Sequence, residues 1–303
     1  MPLQHRAQFD AVVTFSNGGG LQTQGFRVDV PHAGTTEAEI ARLFVAACRL
    51  LMVEHVELSN VRVFAEPHLG TPAGPSEGRP RLRWVELNHV IADGMVTYPG
   101  LPEPEITPHL TREASRNIYA EGTEFTIDRI SMLGNTGTYL DSPFHRYADG
   151  TDLAGLALER LADLPAVVVR TAGSGVRGVE VDALQDFDVA GRAVLLHTGG
   201  DRRWGQPGYA QDAPYLSEAG ARWLAGHGAA LVGIDAVNID DVAPESAGAR
   251  PAHSVLLDAG IPVVEHLTGL AELPPTGALF SAVPPRISAF GTFPVRAYAT
   301  VPA

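Results

Sequence analysis

The chain has 303 residues, 45% hydrophobic and 19% charged, with a net charge of -13 and a pI near 5.2, a balance typical of a soluble globular protein with length enough for a sizeable core. The acidic balance and the lack of any basic cluster exclude a phosphate-backbone partner, so no nucleic acid is expected. One cysteine, Cys48, and no lysine among the 22 basic residues exclude an internal disulfide, a cysteine-rich zinc site, Schiff-base chemistry and a Walker-type loop. No apolar run reaches the roughly 20 residues of a membrane span, and the first residues lack a signal-peptide core, so no membrane partner and a cytoplasmic location are expected. The lysine-free, Ala/Gly/Arg-rich usage suggests a bacterial source with a GC-rich genome.

In chain order, residues 9–15 and 26–30 are predicted strands around a turn at Gly18-Gly19-Gly20. Thr36-Glu37-Ala38-Glu39 has the form of a capping box, and Ile40, Leu43, Phe44, Ala47, Leu50 and Leu51 follow at helical spacing. Cys48 falls within this helix as a small core residue. With a strand over 56–64, this predicts a small β-β-α-β unit, residues 1–66, of unknown role. Residues 67–80, rich in Pro and Gly, read as a linker. From 81 to 303 strands and helices alternate, with apolar strands over 166–170, 193–197, 230–234 and 261–264 and a helix over 217–226 capped by Ser217.

The most chemically loaded stretch is 134–145, Gly-Asn-Thr-Gly-Thr-Tyr-Leu-Asp-Ser-Pro-Phe-His. Pro143 between Asp141 and His145 excludes a helical pair, because an interior proline costs about 3 kcal/mol, so the frame is a loop. On spacing alone, Asp141 capping a turn and His145 as a partly buried histidine fit as well as a reaction centre does. Downstream, His253 precedes a helix-like stretch ended by Gly260, and Glu265 closes a short strand, a common position for functional groups. Trp84, His89, Tyr98 and Trp204 are candidates to line a pocket for an aromatic substrate, and Arg146 to orient an anionic group. Glu245, Asp240 and Asp241 read as solvated loop acids.

The 134–145 stretch resembles the metal-binding signature of the cyclase family, His-x-Gly-Thr-His-x-Asp-x-Pro-x-His, the family of bacterial kynurenine formamidase and isatin hydrolase. Gly137, Thr138, Asp141, Pro143 and His145 fall in register, while Asn135 and Tyr139 stand where the signature has histidine. The stretches 195–201 with Trp204, 232–240, the spacing of His253 and Glu265, and 294–297 add to the resemblance, which covers 81–303 and not the first unit. It implies an α/β fold of the swivelling β/β/α type and metal-dependent hydrolysis of a non-peptide C–N bond in a formamide or cyclic amide. Asp141, His253 and Glu265, helped by Asn135, would hold one divalent metal, Mn²⁺, Mg²⁺ or Zn²⁺, with no organic cofactor. His145 would be the general acid/base, and His89, Trp204 and Arg146 would contact a small-molecule substrate. A homo-oligomer, a dimer or larger, is expected on the same grounds. Two alternatives stay open: a metal-free cyclase, dehydratase or isomerase using His145, Glu265 and Tyr139, and a non-catalytic small-molecule-binding protein.

Overall fold

The computed structural model describes residues 3–67, 82–98 and 100–302, and the chain falls into two compact units, Met1–Arg81 and Leu82–Ala303. The segment read as a linker, residues 67–80, lies outside the described residues apart from the backbone of Pro67. In the first unit, β1 (Leu3–Phe15) lies between β2 (Gly20–Val30) and β3 (Val53–Pro67) in an antiparallel sheet. Alternation along β1 puts Ala7, Phe9, Ala11 and Val13 on one buried face, where α1 (Glu37–Ala47) packs Ile40 and Phe44. The capping box forms both of its bonds, Glu39 N–H to Thr36 Oγ1 at 3.3 Å and Thr36 N–H to Glu39 Oε2 at 3.0 Å. The helix is shorter than its apolar period suggests. Cys48 is its C-cap and Arg49 turns left-handed at φ +50°, so Leu50 and Leu51 lie beyond it.

The second unit runs from β4 (Leu82–Glu86) through a hairpin, β5 (Glu105–Leu110) and β6 (Ile127–Ser131), with the one-turn α2 (Arg112–Ser115) between its strands. Then come β7 (Tyr139–Asp141), β8 (Leu164–Arg170), β9 (Gly178–Val179), β10 (Ala193–His197), β11 (Tyr215–Leu216), α3 (Glu218–Gly226) and β12 (Leu231–Ile234). The chain ends with α4 (Pro251–Asp258), β13 (Val263–Glu265), β14 (Thr276–Ser281), β15 (Thr292–Pro294) and β16 (Tyr298–Pro302). Nine strands form one mixed sheet in the order β15-β7-β13-β12-β10-β8-β14-β16-β4, parallel from β13 to β8 and antiparallel outside.

In β8, Ala166 and Val168 enter one core while Val167 and Val169 enter the other, and β10 divides Ala193 and Leu195 from Val194 and Leu196 in the same way. Burial on both faces is why these strands read as unbroken apolar runs. One core is covered by Leu224 of α3 and by Leu256 and Leu257 of α4. The other gathers Leu140 from one end of the sheet with Phe280, Ala299 and Val85 from the other end, so the sheet curls around it. Ser217 caps α3 as its sequence suggests, accepting from Gly220 N–H at 3.0 Å.

Candidate active site

The site is built on three adjacent short strands, β15, β7 and β13. Their register sets Thr292 beside Asp141 and Asp141 beside Val263, with Pro294, Tyr139 and Glu265 in a second row. The chain on both sides of β7 is held by backbone approaches that only glycine permits. A Cβ on Gly291 would lie 2.6 Å from the backbone of His145, and one on Gly134 would lie 2.2 Å from the Thr292 carbonyl oxygen. Thr138 ties β7 to the chain after β13, donating to the His266 carbonyl at 2.6 Å.

Three ligand atoms converge here, from Asp141, His253 and Glu265, all within 4.8 Å of one another and all buried. His253 Nε2 lies 3.5 Å from Asp141 Oδ2 and 3.4 Å from Glu265 Oε1. Asp141 Oδ2 is buried and, among the described residues, makes no hydrogen bond of normal geometry; only the His253 ring faces it, at 3.5 Å, so the oxygen keeps a lone pair for a cation. Behind the imidazole sits Asp240, 1% exposed, whose Oδ2 lies 2.7 Å from His253 Nδ1. Three buried carboxylates against a single imidazole leave excess negative charge even when that imidazole is protonated. A hard dication fits this one-nitrogen, two-carboxylate set.

The electrostatics agree. Burial opposes charge on His253, but Glu265, Asp141 and Asp240 outweigh it and lift the imidazole to about 10. Burial, reinforced by the Asp141 charge, pushes the Glu265 carboxyl up despite His253. Burial also pushes Asp141 up, yet the nearby His253 and His145 rings and the Thr292 hydrogen bond prevail and hold it below the usual range. A bound cation would invert the sense of the Glu265 shift.

The two positions where the signature has histidine both line the site. Tyr139 donates its hydroxyl to Glu265 Oε2 at 2.7 Å, and Asn135 lines the same pocket beside it. Burial and the Glu265 charge drive the phenol pKa well up, so Tyr139 stays neutral. Glu265 Oε1 accepts from Ile239 N–H at 2.6 Å, so both of its oxygens are held. His145 is exposed to solvent; its Nδ1 lies 2.6 Å from Thr292 Oγ1, which lies 2.5 Å from Asp141 Oδ1. An ionised carboxylate cannot donate, so the threonine proton goes to Asp141 and its oxygen accepts from His145 Nδ1–H. That tautomer leaves His145 Nε2 with a free lone pair.

A pocket of about 380 Å³ opens on this cluster, lined by Asn135, Tyr139, His145, Arg146, His253 and Glu265 from the sequence-predicted set. Tyr98, Leu101, Asn238 and Arg250 complete its wall. Of the aromatic candidates only Tyr98 lines it. Trp84 is 66% exposed on β4, and His89 and Trp204 stack on each other at 3.9 Å without contributing to this wall. Asp240 corrects the sequence reading: it is a buried acceptor, not a solvated acid. Its oxygens take Ala252 N–H at 2.6 Å and His253 N–H at 3.1 Å besides the imidazole. Asp241 is partly buried and pairs with Arg177 at 2.5 Å, while Glu245 is exposed as expected. Thr292 and Asp240 were missed by sequence reasoning. The one local hint for Asp240 is that α4 begins at Pro251 with Arg250 as an N-cap that offers no side-chain bond, so its first N–H groups need an acceptor from elsewhere.

The family model described as "Putative cyclase" matches residues 85–241. Kynurenine formamidase of Geobacillus thermodenitrificans (strain NG80-2) is 30% identical over 217 residues, covering 71% of this chain and 95% of that protein. The kynurenine formamidase of Bacillus cytotoxicus is 26% identical over 188 residues, covering 61% of this chain and 81% of that protein. Among solved structures, isatin hydrolase A from Ralstonia solanacearum superposes with a TM-score of 0.61 at 23% identity, covering 73% of this chain and 92% of its own. An isatin hydrolase bound to the product analogue thioisatinate gives a TM-score of 0.61 at 21% identity, covering 73% and 93%. The matched stretch holds the Gly137-to-His145 frame, and the most similar of these relatives is covered almost end to end: this chain belongs to the cyclase family.

Proposed function

We propose that the chain is a metal-dependent hydrolase of a non-peptide C–N bond, in a formamide or a cyclic amide. The observation that carries this is the convergence of Asp141, His253 and Glu265 within 4.8 Å on a pocket that His145 also lines. The names of the similar proteins, kynurenine formamidase and isatin hydrolase, support the same bond class. A divalent ion held there supplies polarisation of the scissile carbonyl and an acidified water. The chain's own residues do the rest. His145 Nε2 takes the water proton and returns it to the leaving amine, while Thr292 holds Nδ1–H. Tyr139 and Ile239 N–H keep Glu265 in place, and Asp240 fixes the His253 ring so that Nε2 faces Asp141 and Glu265. Mn²⁺ or Mg²⁺ suits this oxygen-rich set better than Zn²⁺.

Metal content by mass spectrometry, with hydrolysis of formanilide and of a lactam, tests the reading. About one divalent ion per chain is expected in the wild type and none in the Asp141→Ala/His253→Ala variant. A metal-free wild type that added Mn²⁺ does not activate would sink it and turn attention to metal-free acid–base chemistry by His145 and Glu265.

A homodimer is part of the same proposal. Among the described residues the strands β5 and β6 pair only with each other, and they are exposed nearly throughout, Ile106, Ile127 and Ile130 among their residues. A two-stranded hairpin is marginal in water by itself, and this one leads back through the loop that carries Leu101 and Tyr98 into the pocket wall. Sedimentation at micromolar concentration should give a dimer that Ile106→Asp/Ile130→Asp dissociates; a wild-type monomer would count against it.

A further inference from the structure

Arg146 and Arg250 both line the pocket, and among the described residues neither guanidinium has a carboxylate partner. Arg250 is held in place by backbone, its Nη1 donating to Ala249 O at 2.9 Å and to Asp241 O at 3.3 Å, with Tyr98 in the same pocket wall. Arg146 lies over the Tyr147 ring, 5.3 Å from its centroid, with Nε 3.4 Å from Ser254 Oγ. Ser254 Oγ in turn donates to the Arg250 carbonyl at 2.7 Å, so both arginines are anchored at the start of α4. Their remaining N–H groups are unspent among the described residues.

The charge balance of the site indicates what these groups are for. Asp141, Asp240 and Glu265 carry three negative charges, and a dication with two guanidiniums supplies four positive, a surplus of one. In a chain of net charge -13 the long-range field repels anions, so a cationic pocket mouth reverses the sign only locally. Planar guanidiniums match a carboxylate in bidentate geometry. Resting on the hydrolase reading above, we propose that Arg146 and Arg250 form a subsite for a single carboxylate on the substrate, so that the enzyme acts on carboxylate-bearing amides. Arg146 directly follows His145, so a carboxylate held there leaves the amide beside the base. A cavity of about 380 Å³ suits a substrate with one ring or a short chain, near the lower end of small-molecule sites.

The test has two arms on the metal-loaded full chain. In calorimetric titration, benzoate should bind at least about tenfold tighter than benzamide, and Arg146→Gln/Arg250→Gln should remove that preference. Arg146→Glu, a change at an exposed side chain, should weaken benzoate by at least as much. In kinetics, 2-formamidobenzoate should exceed formanilide in kcat/KM by about tenfold or more, with the ratio falling toward one in the double glutamine variant. Benzoate binding no better than benzamide, or binding unchanged in the arginine variants and lost on chelation, overturns the subsite, since the latter is direct ligation of the metal. Arginine-dependent benzoate binding with no turnover of either amide leaves the subsite standing and overturns the hydrolase reading instead.

Discussion

Replacing His145 with alanine is expected to lower kcat by about 10²- to 10⁴-fold while metal content stays at the wild-type level, the usual worth of a positioned general base. His145 is not among the three converging ligands; its Nδ1 is engaged by Thr292, 2.6 Å away. The same contact makes Thr292→Val a sharper test. Valine keeps the shape but removes the oxygen that accepts from Nδ1–H and the proton given to Asp141, so the imidazole loses its fixed tautomer and Asp141 loses a donor. Thr292→Val should reduce kcat with little change in KM, and Thr292→Ser should restore most of it. Nitrogen NMR of labelled histidine should find His145 protonated at Nδ1 both in the wild type and in the Thr292→Ser variant, and as a tautomer mixture in the valine variant. A Thr292→Val enzyme with wild-type kcat and an unchanged tautomer would remove Thr292 from the mechanism.

The parallel strands β8, β10 and β12 and the capped helices α1 and α3 were legible because their signals are local. A strand buried on both faces is an apolar run, and a cap is a residue type at a fixed offset. The outer strands were not. Thr276–Ser281, Thr292–Pro294 and Tyr298–Pro302 carry mixed or weak periodicity and become strands only because β7, β8 and β4 offer them edges. The site divides in the same way. Asp141, His253 and Glu265 were singled out by type, spacing and family frame, and the fold brings their ligand atoms within 4.8 Å of one another. Thr292 was invisible because its relevance depends on a register pairing across 151 positions of chain. His89 and Trp204, also chosen by type, stack on each other outside the pocket wall.

Asp240 offers the second large effect because one buried carboxylate serves two structures at once. It accepts from Ala252 and His253 N–H, doing for α4 what its N-cap does not, and it engages His253 Nδ1 at 2.7 Å. Outer carboxylates of this kind orient a ligating imidazole and raise its basicity, and losing one typically costs 10- to 100-fold in metal affinity. Asp240→Asn keeps the shape but puts an amide NH₂ toward one of three donors, so metal affinity should fall by about 10- to 100-fold in competition with a chelator. Asp240→Ala leaves all three donors without their acceptor and should also lower unfolding free energy by about 2–4 kcal/mol. Urea unfolding of the chelated protein separates the effects, since a loss seen without metal belongs to α4 rather than to the ion. If Asp240→Asn held metal as tightly as wild type, the imidazole would be oriented by its packing alone, and the carboxylate would matter only as the cap of a helix that begins with proline.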